Sequence, residues 1–122
     1  MILPDTSVWI DHLSRPDEHM AEVLNAGEGL LHPFVIGEIA LGNLRNRQRL
    51  MWFLSKAPEA KVARTDDVLT LINQRELGGS GIGYVDAHLL ASCLLAGDCW
   101  LWTRDIRLKR AAEKLSVSYA AA

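Results

Sequence analysis

Cysteine is scarce in this chain: Cys93 and Cys99 are the only two in 122 residues. Two cannot build a disulfide framework, and four histidines without regular spacing do not complete a zinc site with them. Both thiols are expected to be reduced, as in the cytosol. Long apolar runs are also missing. The longest, Leu89 to Gly97, is too short to span a bilayer. The N-terminus reaches Pro4 and Asp5 before a secretory apolar region can form. A cytoplasmic protein with no membrane association is the expectation. Strong charge of either sign is absent: 13 Lys and Arg stand against 15 Asp and Glu, a net −2. That balance argues against holding nucleic acid by bulk charge alone. No histidine acid–base pair or catalytic triad can be read from the chain, which disfavours a metal-free ribonuclease mechanism.

Four isolated acids stand out: Asp5, Glu38, Asp86 and Asp105. Glu38 is the only charged residue between His32 and Arg45, and Asp86 is the only one between Glu76 and Asp98. A charge in so apolar a stretch is costly to desolvate unless something pairs with it. Several converging carboxylates share one common partner, a hard divalent cation such as Mg²⁺ or Mn²⁺. The first reading is therefore a metal-dependent enzyme acting on phosphate. Setting these acids aside leaves the basic residues in slight excess, so a nucleic-acid substrate stays open with grip supplied locally.

The length fits one domain over residues 1–122. Met1-Ile2-Leu3 reads as a short buried strand, and Asp5-Thr6-Ser7 starts a helix with an apolar face of Val8, Trp9, Ile10 and Leu13. Pro16-Asp17-Glu18 opens a second helix that stops at Gly27, followed by a strand at Leu30-Leu31. Pro33 starts an apolar helix carrying Glu38; Leu50 to Leu54 starts another, ending near Pro58. Lys61-Val62-Ala63 reads as a short strand, and Asp66-Asp67 as the cap of a helix through Leu77. Gly78 to Gly83 lacks the Gly-Lys-Ser/Thr ending of a phosphate loop and reads as a lead-in to a helix from Tyr84 to Ala96. On that helix Val85, Leu89, Leu90, Cys93 and Leu94 should face inward. Trp100-Leu101-Trp102 is a strand, Ile106 to Leu115 a helix and Val117-Ser118-Tyr119 a last strand. Strands alternating with helices imply a mostly parallel sheet covered on both faces, with ligands at the carboxyl ends of its strands. Asp5 and Asp105 fall there.

Plainer readings stand beside these. Asp5 and Asp105 each suit a helix N-cap, and Asp86 an early-helix acid favoured by the dipole. Glu38 also fits a buried ion pair. His12, His19, His32 and His88 read as surface or rim groups, and Trp9, Trp52, Trp100 and Trp102 as core or interface anchors. Thr103 precedes Asp105 on a strand end, where its hydroxyl would orient a ligand or water. Arg104, Arg107, Lys109 and Arg110 surround Asp105 and suit a phosphate backbone, or else a solvated helix face. Arg45, Arg47 and Arg49 form a second basic group.

With these residues assembled, the chain resembles the PIN-domain nucleases and, within them, the VapC toxins of bacterial toxin–antitoxin pairs. The resemblance runs nearly end to end. It is carried by Asp5-Thr6-Ser7-Val8-Trp9, Glu38-Ile39-Ala40-Leu41-Gly42, Gly81-Ile82-Gly83-Tyr84-Val85-Asp86 with His88-Leu89-Leu90-Ala91, and Leu101-Trp102-Thr103-Arg104-Asp105 with Arg107-Leu108. It implies a three-layer α/β/α sandwich and an endoribonuclease using one or two Mg²⁺ or Mn²⁺ ions at Asp5, Glu38, Asp86 and Asp105. It also implies a homodimer and inhibition by a cognate VapB-like antitoxin. One departure is Pro4, where the family more often has an aliphatic residue; its missing backbone donor is expected to shift Asp5 slightly. Trp9, Trp52 and Phe53 are the expected antitoxin or dimer surface. A receiver-like phosphoacceptor switch fits poorly, because the first turn holds one acid and no Asp lies between Gly42 and Pro58. The alternatives kept are a PIN-domain ribonuclease outside toxin–antitoxin systems and a non-catalytic RNA- or protein-binding PIN module.

Overall fold

Residue Leu3 has no exposed surface and Ile2 almost none, which suits a strand covered on both faces. In the computed structural model, which describes residues 1–120 apart from the side chain of Phe53, these residues form the centre of the sheet. Strand β1 (Ile2–Pro4) runs parallel to β2 (Trp100–Trp102), with Leu3 opposite Leu101. On its other side the Ile2 N–H donates to the Glu28 carbonyl at 2.8 Å, and the Leu30 N–H to the Ile2 carbonyl at 2.8 Å. Single parallel bridges extend the array, Leu31 to Glu59 at one end and Leu101 to Ser118 at the other. The spatial order is thus 58–60, 29–31, β1, β2, 117–119.

Between these segments lie seven helices among the described residues. They are α1 (Thr6–Ser14), α2 (Glu18–Asn25), α3 (Pro33–Ala40), α4 (Arg47–Leu54), α5 (Thr65–Gln74), α6 (Tyr84–Ala96) and α7 (Ile106–Lys114). The sequence explains most of their ends. Asp5, Asp17 and Asp105 each accept a backbone N–H in the first turn of the helix that follows. Pro33 occupies the opening turn of α3, where no donor is needed. Gly97, at φ 81°, stops α6 in the left-handed conformation that costs glycine nothing. With the right-handed crossovers usual for parallel strands, this strand order puts α1–α4 on one face of the sheet and α5–α7 on the other. Contacts of α1 with α3, α3 with α4, α5 with α6, and α6 and α7 with β2 agree.

The main core joins both faces through Val8, Trp9, Met20, Leu31, Val35, Ile39, Leu89, Leu90, Leu101 and Leu108, all at most 1% exposed. Each such side chain contributes about 1.5–3 kcal/mol by leaving water. Cys93 and Cys99 are buried and free, with their sulfurs 3.3 Å apart. Among the described residues no helix is long and apolar enough to cross a membrane.

Some sequence expectations are corrected. Lys61-Val62-Ala63 is not a strand; Leu31 bonds instead to Pro58 and Ala60, and Val62 is half exposed. Asp66 and Asp67 lie in the first turn of α5, whose N-cap is Arg64, and the helix ends before Leu77. Leu94 turns outward, because α6 is buried through an unbroken stretch from Ala87 to Cys93 and surfaces beyond it. Trp9 is wholly interior, so it cannot form a docking surface, while Trp52 is exposed with the Lys56 ammonium over its ring. Phe53 lies outside the described side chains. Pro4 leaves the backbone hydrogen bond of Asp5 intact. Backbone groups alternate sides along a strand, so the Pro4 nitrogen faces away from β2, and the Asp5 N–H still reaches the Trp102 carbonyl at 2.9 Å.

Candidate active site

The carboxyl ends of β1 and β2 deliver Asp5 and Asp105 side by side, and one hydroxyl links them. Thr103 donates to Asp5 Oδ2 and accepts the Asp105 N–H at 3.0 Å. Asp5 is only 5% exposed, and its other oxygen accepts the Ser7 hydroxyl at 2.6 Å and the Val8 N–H at 3.1 Å. The helix cap and the candidate ligand are therefore the same side chain, each oxygen serving a different element. Asp105 repeats the arrangement, with Oδ1 accepting the Leu108 N–H at 3.0 Å.

Glu38 projects from α3, where its Oε1 accepts the Thr6 hydroxyl at 2.6 Å, tying α3 to the start of α1. Asp86 lies in the first turn of α6 and accepts the Gly83 N–H at 3.3 Å. Its carboxyl is held above the ordinary carboxylate range, chiefly by burial. The bond from Gly83 opposes that shift, and the charges of Asp5, Asp105 and Glu38 reinforce it. All three other acids thus act on Asp86 through one shared field. Even so, among the described residues no three His, Cys, Asp or Glu side chains stand close enough to grip one ion. Nor are all four acids desolvated as expected. Asp5 is buried and Asp86 partly so, whereas Glu38 and Asp105 are open to solvent at the rim.

The basic residues around Asp105 part ways. The Arg104 guanidinium is engaged by Asp11 and, at 2.9 Å, by Asp17, so it neutralises α1 and the α2 cap rather than standing free for phosphate. Arg107 lies against the glycine loop: a Cβ at Gly81 would come within 2.8 Å of its side chain, and Gly81 has φ 87°. Arg110 borders a shallow depression with Arg107, and Lys109 lines a separate one with Trp102 and Tyr119. A groove of about 860 Å³ lies elsewhere, between Ile10, Leu13, Ile39, Leu44 and Leu50 with Arg45 and Arg49.

Two histidines expected at the surface are interior: His32 and His88 are 0% and 2% exposed. His32 Nδ1 accepts the Phe34 N–H at 3.0 Å and so caps α3. Burial, with His88 nearby, lowers its pKa to about 4. The His88 ring lies 4.6 Å from Phe34 and 4.7 Å from Tyr84, both edge-to-face. The sequence reading also missed Thr6 and Ser7 as partners of the acids; hydroxyls directly after a lone Asp were the available signal.

A family model described as PIN domain matches residues 2–114. Ribonuclease VapC32 of Mycobacterium tuberculosis (strain CDC 1551 / Oshkosh) is 45% identical over 120 residues, covering 98% of this chain and 97% of its own. The protein of the same name from strain ATCC 25618 / H37Rv matches to the same extent. With an α/β architecture of parallel strand segments between helices and acids at the strand ends, this chain belongs to the PIN-domain family.

Proposed function

We propose that the chain, acting as one PIN-like domain over 1–122, is a VapC-type endoribonuclease toxin that uses Mg²⁺ or Mn²⁺ to hydrolyse RNA phosphodiester bonds. The observation that carries this reading is geometric: Thr103 ties Asp5 to the start of the Asp105 helix at adjoining strand ends, and Glu38 is tied through Thr6 to the same end of α1. None of the four acids is in an ion pair among the described residues. An all-oxygen donor set with uncompensated negative charge fits a hard divalent ion in its chemistry. Near-identity in length and 45% identity to Ribonuclease VapC32 support RNA as the substrate.

In this reading Asp5, Glu38 and Asp86 would hold one or two ions, directly or through water. Such an ion supplies charge to offset the scissile phosphate and lowers the pKa of bound water. The chain's own residues do the positioning. Thr103, Ser7 and the Val8 N–H fix the Asp5 carboxylate. Asp105, oriented by its cap on α7, would complete the site, by holding a second ion or by positioning the attacking water. Thr6 sets the Glu38 rotamer at the open rim. Arg107 and Arg110 offer phosphate contacts on the α7 side, with Lys109 further round the helix.

The same reading includes a homodimer, a cytoplasmic location and a VapB-like antitoxin. The groove beside Ile10, Leu13 and Leu50 suits an apolar antitoxin segment, and takes the place of the surface that Trp9 cannot provide. RNA cleavage by purified, partner-free protein with Mg²⁺, Mn²⁺ or EDTA, against folded Asp5→Asn and Asp86→Asn, tests the proposal. Metal-dependent cutting lost in both variants is expected. Cutting that survives EDTA and both substitutions would overturn it.

A further inference from the structure

Four aromatic rings form a row beside the carboxylates, and nothing in the chemistry above uses them. His32 meets Phe34 at 5.0 Å, Phe34 meets His88 at 4.6 Å, and His88 meets Tyr84 at 4.7 Å, all edge-to-face. The two histidines are interior, whereas Phe34 is 37% and Tyr84 47% exposed. The row is thus anchored from below and presents two rings to solvent, one from α3 and one from α6. Its position follows from helix geometry. Phe34 lies four residues before Glu38 on α3, so the two share a face about 5–6 Å apart at Cβ. Tyr84 opens the helix turn that carries Asp86.

We infer that Phe34 and Tyr84 form a stacking platform for unpaired nucleobases of the RNA whose backbone enters the carboxylate site, an inference that rests on the nuclease reading above. Three observations favour a nucleobase. The two rings stand on the helices that carry Glu38 and Asp86, so a strand with its phosphate at the site has its flanking bases within reach. The chain lacks bulk positive charge, and Arg104 is already paired with Asp11 and Asp17, so uncharged contacts are needed beside the few basic residues of α7. Stacking on exposed aromatic faces is the usual uncharged grip on single strands. The edge-to-face clasp on His88 also holds each ring's orientation before RNA arrives, which lowers the ordering cost of binding.

The arrangement predicts selectivity for single strands, because bases in a duplex are already stacked. The test is binding, in EDTA so that no metal or cleavage is needed, of a fluorescein-labelled single-stranded RNA of mixed sequence. It is compared with the same RNA in a duplex and with a version whose central nucleotides are abasic. Phe34→Ala and Tyr84→Ala should each weaken single-strand binding about 10- to 100-fold, while Tyr84→Phe and Phe34→Tyr retain it. On the abasic strand the alanine variants should match the parent. Alanine variants that bind the intact strand as the parent does would overturn the platform while leaving the nuclease reading intact. Unchanged RNA binding with a smaller particle in light scattering would assign the two rings to self-association, and equally overturn it. A parent protein that neither binds nor cuts single-stranded RNA, with or without metal, would fail at the level of the nuclease reading itself.

Discussion

Removing one oxygen atom should loosen both halves of the candidate site. Thr103→Val keeps the shape of a mostly buried side chain but deletes the hydroxyl shared by Asp5 and Asp105. The bond to the Asp5 carboxylate belongs to the class worth about 1.5–3 kcal/mol, and the one accepted from the Asp105 N–H to the class worth about 0.5–1.5 kcal/mol. Asp5 keeps Ser7 and Val8 as donors, which places the loss near about 2–3 kcal/mol. For a domain of this size that lowers Tm by about 8–12 °C. Thermal unfolding by circular dichroism in EDTA reads this directly, and RNA cleavage with metal reads the looser Asp5. Thr103→Ser restores the hydroxyl and should lie close to the parent in both. A valine variant as stable and active as the serine variant would refute the bridging role.

Other outcomes follow from the charges. Asp86 has a raised folded pKa, so the stability it contributes is complete below about 3.8 and is lost as pH rises through the raised value. Asp86→Asn should therefore be more stable than the parent at pH 7 in EDTA, with the gap closing in acid, while RNA cleavage is lost. Equal stability at pH 7 would contradict the shared field. His32 shows the opposite sign. With a folded pKa lowered to about 4, it contributes stability that is complete above about 6.5 and drains away as pH falls toward 4. His32→Asn keeps a cap acceptor for the Phe34 N–H, and its Tm should fall less steeply over that window; parallel slopes would count against it. Arg104→Gln should cost only about 0.5–1 kcal/mol, because its ion pairs with Asp11 and Asp17 are open to water. That difference should shrink in high salt, and a salt-independent loss would indicate another role for Arg104.

The elements legible in the sequence were those with local punctuation. Helix α6 and strand β2 lie at the expected residues because Gly83, Gly97 and two turn residues bracket them. The segment 58–60 was missed because a single bridge to Leu31 needs no strand-like composition, while β-branched Val62 lies in a stretch with no strand pairing among the described residues. As candidates, Glu38 and Asp86 were legible because each is the one acid in a long apolar stretch, and Asp5 and Asp105 because each follows a short apolar strand. Their exposure was not, since it depends on where four elements end around a common rim. His32 and His88 looked like surface residues because their burial comes from α3 and α6 meeting across more than fifty residues of chain. The aromatic row escaped notice for the same reason.

The central strand is made long before its partner β2. Residues Ile2–Pro4 precede their partner Trp100–Trp102 by 98 positions along the chain. The Met1 amino group, too, waits for the Asp98 carbonyl, 97 positions on, before it has a bond to make. At about 5–20 residues per second that delay is several seconds long. Asp5 has no Thr103 to hold it during this interval, and Asp105 does not yet exist. The candidate site therefore cannot close before the whole stretch between its two strand ends has been made and folded back.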